Sequence, residues 1–68
     1  MNMARGPQQS TYVRLLKAGD RFFDLTDKSI IRTVAEDAVV DEDGMVSVLL
    51  AGHTRPSTFD WKDRVRLY

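Results

Sequence analysis

Residues 30–51 read Ile-Ile-Arg-Thr-Val-Ala-Glu-Asp-Ala-Val-Val-Asp-Glu-Asp-Gly-Met-Val-Ser-Val-Leu-Leu-Ala, and the fold turns on how they are read. Two runs of β-branched and aliphatic residues flank an acidic bend, Asp41-Glu42-Asp43-Gly44, which is the pattern of a β-hairpin. Asp tolerates tight backbone geometry, and Gly44 can supply the positive φ that ends such loops. Two readings compete for residues 29–40. Ile31, Val34, Ala35, Ala38 and Val39 follow a helical stripe, with Ser29 or Asp27 as a cap. Against it stand the branched side chains of Ile30, Ile31, Thr33, Val34, Val39 and Val40, which favour strand, and a short acidic turn where a helix would need a C-cap. The strand reading is preferred, with a bulge bending it near Glu36-Asp37.

Residues 45–51 are the clearest strand. Val46, Val48 and Leu50 share one face, and Met45, Ser47 and Leu49 the other. Large apolar groups on both faces predict a central strand whose second side is covered by a loop, the N-terminal tail or another subunit.

Working outward, residues 11–16 read as a first strand, followed by a turn at Lys17-Ala18-Gly19-Asp20 with Gly19 where a type II turn needs φ > 0. Residues 21–25 resume as strand, with Phe22 and Phe23 facing opposite ways, one into the core and one partly covered. Residues 26–29 form a polar turn. Residues 52–57 are a loop, because Pro56 cannot sit in a central strand. A short strand over 58–61, a tight turn at Lys62-Asp63 and a last strand over 64–68 complete the chain. In that last strand Val65 and Leu67 point one way, and Arg64, Arg66 and Tyr68 the other. The predicted core is Val13, Leu15, Phe22, Ile31, Val34, Val46, Val48, Leu50, Phe59, Val65 and Leu67. Five or so short strands at intervals of about ten residues predict an all-β domain, a small five-stranded barrel or a strongly curved antiparallel sheet.

The run Leu16-Lys17-Ala18-Gly19-Asp20-Arg21-Phe22 resembles the Gly-Asp-aromatic opening of SH3-like small β-barrels, with Arg21 between the Asp and the ring. The Asp43-Gly44 hairpin and the closing Phe59…Arg64-Val65-Arg66-Leu67 resemble the later strands of such a barrel. The likeness spans residues 11–68, and short proteins of this outline occur among accessory proteins of bacteriophages and high-GC bacteria. SH3-like barrels bind peptides, nucleic acids or copies of themselves. The resemblance therefore implies binding without selecting a ligand, and it brings no catalytic residue with it.

A chain of 68 residues is one domain, near the lower limit for folding unaided. It has no cysteine, so no disulfide can staple it; this agrees with a reducing, cytoplasmic setting, and self-association is a common way for such a small core to gain stability. Residues 1–10 carry no apolar run and read as a disordered tail rather than a signal peptide, and no stretch approaches the ~20 apolar residues of a membrane span. Ten basic and ten acidic residues cancel, which argues against a protein held to nucleic acid by bulk charge. The distribution is uneven: Glu36, Asp37, Asp41, Glu42 and Asp43 form one acidic pole with no base among them.

Catalytic chemistry finds little footing. His53 is the only histidine and sits in a Gly/Pro loop, where plain surface is the commoner role; with no cysteine it cannot complete a usual zinc ligand set. A calcium loop fails too, because placing Gly44 at the invariant glycine puts Val39 and Leu50 where the first and last carboxylates are needed. The glycines are isolated, so there is no phosphate-cradling loop, and Asp20, Asp24 and Asp27 suit the solvation of turns. No catalytic residue, cofactor or metal is expected, and the chain does not read as an enzyme.

The strongest functional signal is a face bearing Trp61, Arg64, Arg66 and Tyr68, with Arg14 and Arg32 as neighbours. Arginines interleaved with aromatics contact phosphates and stack bases. Trp, Tyr and Arg are also the usual anchors of protein interfaces. A solvated face pairing with Asp60 and Asp63 would use the same residues at little energetic gain. The expectation is a binding module acting through protein–protein contact, as an adaptor or a homo-oligomer. Nucleic acid is the alternative ligand, and neither a membrane nor a small-molecule substrate is indicated.

Overall fold

The computed structural model describes residues 9–68, which form seven short strands: β1 Ser10–Tyr12, β2 Arg21–Phe23, β3 Ile31–Thr33, β4 Val39–Val40, β5 Met45–Val48, β6 Ser57–Asp60 and β7 Arg64–Arg66. The hairpin forms where the sequence places it. Val39 pairs with Ser47 and Val40 with Val46. The Asp41 N–H donates to the Met45 carbonyl at 2.9 Å, leaving a three-residue loop that ends on Gly44 at φ +82°. Asp41 Oδ1 accepts from the Asp43 and Met45 N–H groups at 2.9 and 3.0 Å, so one carboxylate satisfies two loop donors.

Residues 30–40 hold no helix: β3, the Val34 bridge and β4 are extended, and residues 35–38 bend between them. Val34 is bridged to Leu50, and Val39 is paired with Ser47; between these pairs the first strand holds residues 35–38 and the second only Val48 and Leu49. The surplus is a bulge. It is held from behind, since the Ala38 N–H donates to the Leu16 carbonyl at 3.0 Å and the Ala18 N–H to Asp37 Oδ1 at 2.8 Å. Gly19, at φ +93°, turns the chain there into β2.

Three antiparallel sheets result: β1-β7, β2-β3 and β4-β5-β6. The Phe22–Leu67 and Val34–Leu50 bridges link them into one open meander in the spatial order β1-β7-β2-β3-β5-β6, with β4 continuing β3 along β5. The fold is all-β, and among the described residues its ladders do not close into a barrel. Among the described residues no helix is long and apolar enough to cross a membrane.

Val13, Leu16, Phe22, Val34, Val46, Val48, Leu50, Val65 and Leu67 are buried. Removing each large apolar side chain from water is worth roughly 1.5–3 kcal/mol. Strand alternation explains most of them: Val46, Val48 and Leu50 face inward along one strand, as do Val65 and Leu67 along another.

Three expected core positions are corrected. Residues 11–16 are not one strand; after β1 the chain makes a 3₁₀ turn over Val13–Leu15. With three residues per turn, Val13 and Leu16 share a side and Leu15 is thrown outward, 55% exposed. Ile31 pairs with Phe23 in the outward row and is 40% exposed. Phe59 packs against the core but is only half-buried. Ser10, expected in the tail, belongs to β1. Gln9, also in the expected tail, accepts from the Leu67 N–H at 2.7 Å, and residues 1–8 lie outside the described residues.

Candidate docking face

The outer side of the β1-β7-β2 ribbon collects the Arg/aromatic residues by register. Tyr12 lies opposite Arg64 across β1–β7. The Phe22–Leu67 bridge sets Phe23 beside Arg66, and the Tyr68 N–H donates to the Arg21 carbonyl at 3.0 Å. Because Phe22, Val65 and Leu67 point inward, their neighbours Arg21, Phe23, Arg64, Arg66 and Tyr68 point out.

Each outward ring carries a cation. The Arg14 guanidinium lies 4.1 Å from the Tyr12 ring centroid and 4.3 Å from that of Trp61. Arg64 sits 4.9 Å from the Tyr12 ring, Arg66 5.2 Å from Phe23 and Arg21 5.8 Å from Tyr68. Phe23 and Tyr68 meet edge to face at 5.7 Å. Two hydrogen bonds fix the guanidiniums further: Arg14 Nη1 donates to the Trp61 carbonyl at 3.1 Å, and Arg64 Nη2 to Ser10 Oγ at 2.9 Å. Among the described residues none of Arg14, Arg21, Arg64 and Arg66 has a carboxylate within ion-pair distance; the ion pairs there are Lys17–Asp37 and Arg32–Asp24.

The expected neighbour Arg32 is elsewhere. It is the cross-strand partner of the inward-facing Phe22, and its Nε donates to Asp24 Oδ2 at 2.9 Å. Asp24 Oδ1 also accepts from the Thr26 hydroxyl and N–H, both at 2.8 Å, and from the Asp27 N–H at 3.1 Å. The Thr26 hydroxyl, then Arg32, then the two backbone donors hold the Asp24 carboxyl well below the usual carboxylate range. Asp27 is lowered as well, first by the Ser29 hydroxyl and then by the Ser29 N–H. These carboxylates organise the 24–29 turn, and Arg32 ties that turn to β3.

A groove of about 350 Å³ opens on this side, lined by buried Phe22 and Leu50, half-buried Phe59, Asp24 and Arg32, and exposed His53. Its volume falls at the low end of the roughly 300–1,000 Å³ usual for ligand sites. The His53 N–H closes the turn at Gly52 by donating to the Leu50 carbonyl at 3.0 Å, and no second imidazole or thiol stands near it to build a metal or nucleophile site. Among the described residues no three His, Cys, Asp or Glu side chains are grouped to hold a metal ion.

Comparison with known proteins returns nothing. No family model, no curated protein and no solved structure matches the chain. The face is therefore judged on its own geometry. Trp61, Arg64, Arg66, Tyr68 and Arg14 come together on it as the sequence suggests, and Arg32 does not. Tyr12, Arg21 and Phe23 join it although the sequence did not single them out. Phe23 carried a signal, as the second ring of a Phe-Phe pair needing cover; Tyr12 and Arg21 are placed by strand pairing, which no local pattern discloses.

Proposed function

We propose that this chain is a non-enzymatic docking module, a small SH3-like barrel whose Arg/aromatic outer face grips carboxylates on a protein partner. The barrel reading is supported by the antiparallel meander β7-β2-β3-β5-β6 and by the Gly19 turn that opens β2. One observation carries the functional reading: four guanidiniums converge on one face, each on an aromatic ring, with no carboxylate partner among the described residues. A guanidinium held against a ring gives up rotamer freedom before any partner arrives, and its N–H edge matches a carboxylate in bidentate fashion. Trp61 and Tyr68, 48% and 56% exposed, supply the apolar anchors.

The same cations favour a second reading, nucleic acid, because phosphate also accepts from guanidinium. Two features weigh against it. Every ring already carries a cation, which leaves bases little open face to stack on. The acidic hairpin also adjoins the face, since a Cβ on Gly44 would lie 4.0 Å from Trp61 Cβ.

The sole tryptophan lies within the face, so its emission reports occupancy. Titration with a Glu-rich peptide should shift Trp61 emission and saturate, and the Arg64→Glu/Arg66→Glu variant should bind at least about tenfold more weakly, as expected for lost charge-assisted hydrogen bonds. A thymidylate oligomer of matched charge should bind more weakly than the peptide. Tighter binding of the oligomer transfers the reading to nucleic acid, and silence towards both ligands refutes it.

A further inference from the structure

Resting on this docking reading, we infer that the partner the face fits is a second copy of this chain, paired about a two-fold axis near Trp61. The complement to the arginine face is present on the molecule itself. Glu42 and Asp43 stand at the tip of the β4–β5 hairpin, exposed and without a basic partner among the described residues. Asp41 is committed to its own loop through Oδ1, so Glu42 and Asp43 are the carboxylates on offer.

The two patches are neighbours. Gly44 abuts Trp61, and Trp61 in turn carries Arg14, so a single indole separates the acidic tip from the cationic stack. Arg64 continues that stack through Tyr12. Adjacent patches of opposite sign are self-complementary under two-fold symmetry: each acidic tip meets the other copy's arginines, and both contacts form at once. Trp61 falls near the axis, where a half-exposed aromatic is best placed to lose its remaining water. Met45, cross-strand from Asp60 and also exposed, adds apolar area beside it. A net charge of zero removes the long-range repulsion that opposes pairing of identical chains.

The test is a charge swap read by sedimentation equilibrium on the full chain, with circular dichroism confirming that each variant folds; none of the altered residues is buried. The wild type should be dimeric at low salt, and dimer affinity should fall at least about tenfold between about 0.1 and 1 M salt, as the screening length shrinks from about 10 to 3 Å. Glu42→Lys/Asp43→Lys and Arg64→Glu/Arg66→Glu should each be monomeric alone, and an equimolar mixture of the two should regain dimers. A wild type that stays monomeric at low salt, single variants that stay dimeric, or a folded mixture that does not pair would each overturn the inference. The docking reading fails separately: a monomeric wild type that still binds the Glu-rich peptide through Arg64 and Arg66 removes self-pairing alone, whereas single variants that stay dimeric, together with a wild type that binds no peptide at dilutions where it is monomeric, remove both.

Discussion

Arg14 and Trp61, 47 residues apart in sequence, are joined twice: the guanidinium lies 4.3 Å from the indole centroid, and its Nη1 donates to the Trp61 carbonyl at 3.1 Å. The first contact orients the ring, and the second pins the backbone of the turn that carries it. Together they tie the 3₁₀ turn after β1 to the β6–β7 turn. The Arg/aromatic face is thereby built into the tertiary structure.

Arg14→Ala should therefore do two things. It should cost about 1–2.5 kcal/mol of stability in urea unfolding, the sum of an exposed cation–π contact and one hydrogen bond to a carbonyl. It should also shift Trp61 emission to the red as the indole gains water. Arg14→Lys should restore little of either effect, because an ammonium lacks the planar fork.

The phase of the 3₁₀ turn is tested by two adjacent leucines. Leu16 is buried and Leu15 is half-exposed. Leu16→Ala should cost about 2–5 kcal/mol and Leu15→Ala under about 1 kcal/mol in the same urea assay. The reverse order, with Leu15→Ala the costlier, would mean that residues 11–16 run on as a regular strand with Val13 and Leu15 inward.

Gly44→Ala should destabilise by about 1–2 kcal/mol, since Gly44 holds φ +82° at the end of the hairpin loop. Gly44→Asn should cost less, because Asn accepts that conformation more readily. Thermal unfolding of both variants checks the order.

The acid limb of stability should depend on Asp24. Its carboxyl, and that of Asp27, titrate lower in the folded chain than when unfolded. Their contribution is then complete above the ordinary carboxylate range near about pH 4 and is lost as pH falls through it towards the depressed folded values. Asp24→Asn should lower stability at neutral pH and flatten the decline between about pH 5 and 2. A parallel downward shift with the slope intact would show that the ionised carboxylate is not the stabilising species.

How far the fold could be read depended on what set each feature. The hairpin was legible because β-branched runs and the Asp41–Gly44 loop act locally, and the bend at Glu36-Asp37 was legible because two acids interrupt an apolar run. Leu15 and Leu16 were exchanged because alternation assumes two residues per repeat and a 3₁₀ turn has three. Ile31 and Val34 have opposite parity on a strand, so both cannot face inward; pairing with Phe23 puts Ile31 in the outward row and leaves Val34 in the core. The docking face was half-legible. Arg64, Arg66 and Tyr68 alternate along the one closing run of β7 and its extension through the Leu67 bridge, whereas Tyr12, Arg21 and Phe23 reach them only through pairings across the sheet, and Arg32 pairs across from Phe22 and ties into the Asp24 turn.

The central claim is that the outer Arg/aromatic face, and not the groove beside His53, is the working surface. Amide chemical-shift mapping during titration with the Glu-rich peptide tests it most directly. The account predicts the largest shifts at Tyr12, Arg14, Trp61, Arg64 and Tyr68, with Asp24, Arg32 and His53 unmoved. Shifts centred on Asp24, Arg32 and His53, with Trp61 silent, would contradict it.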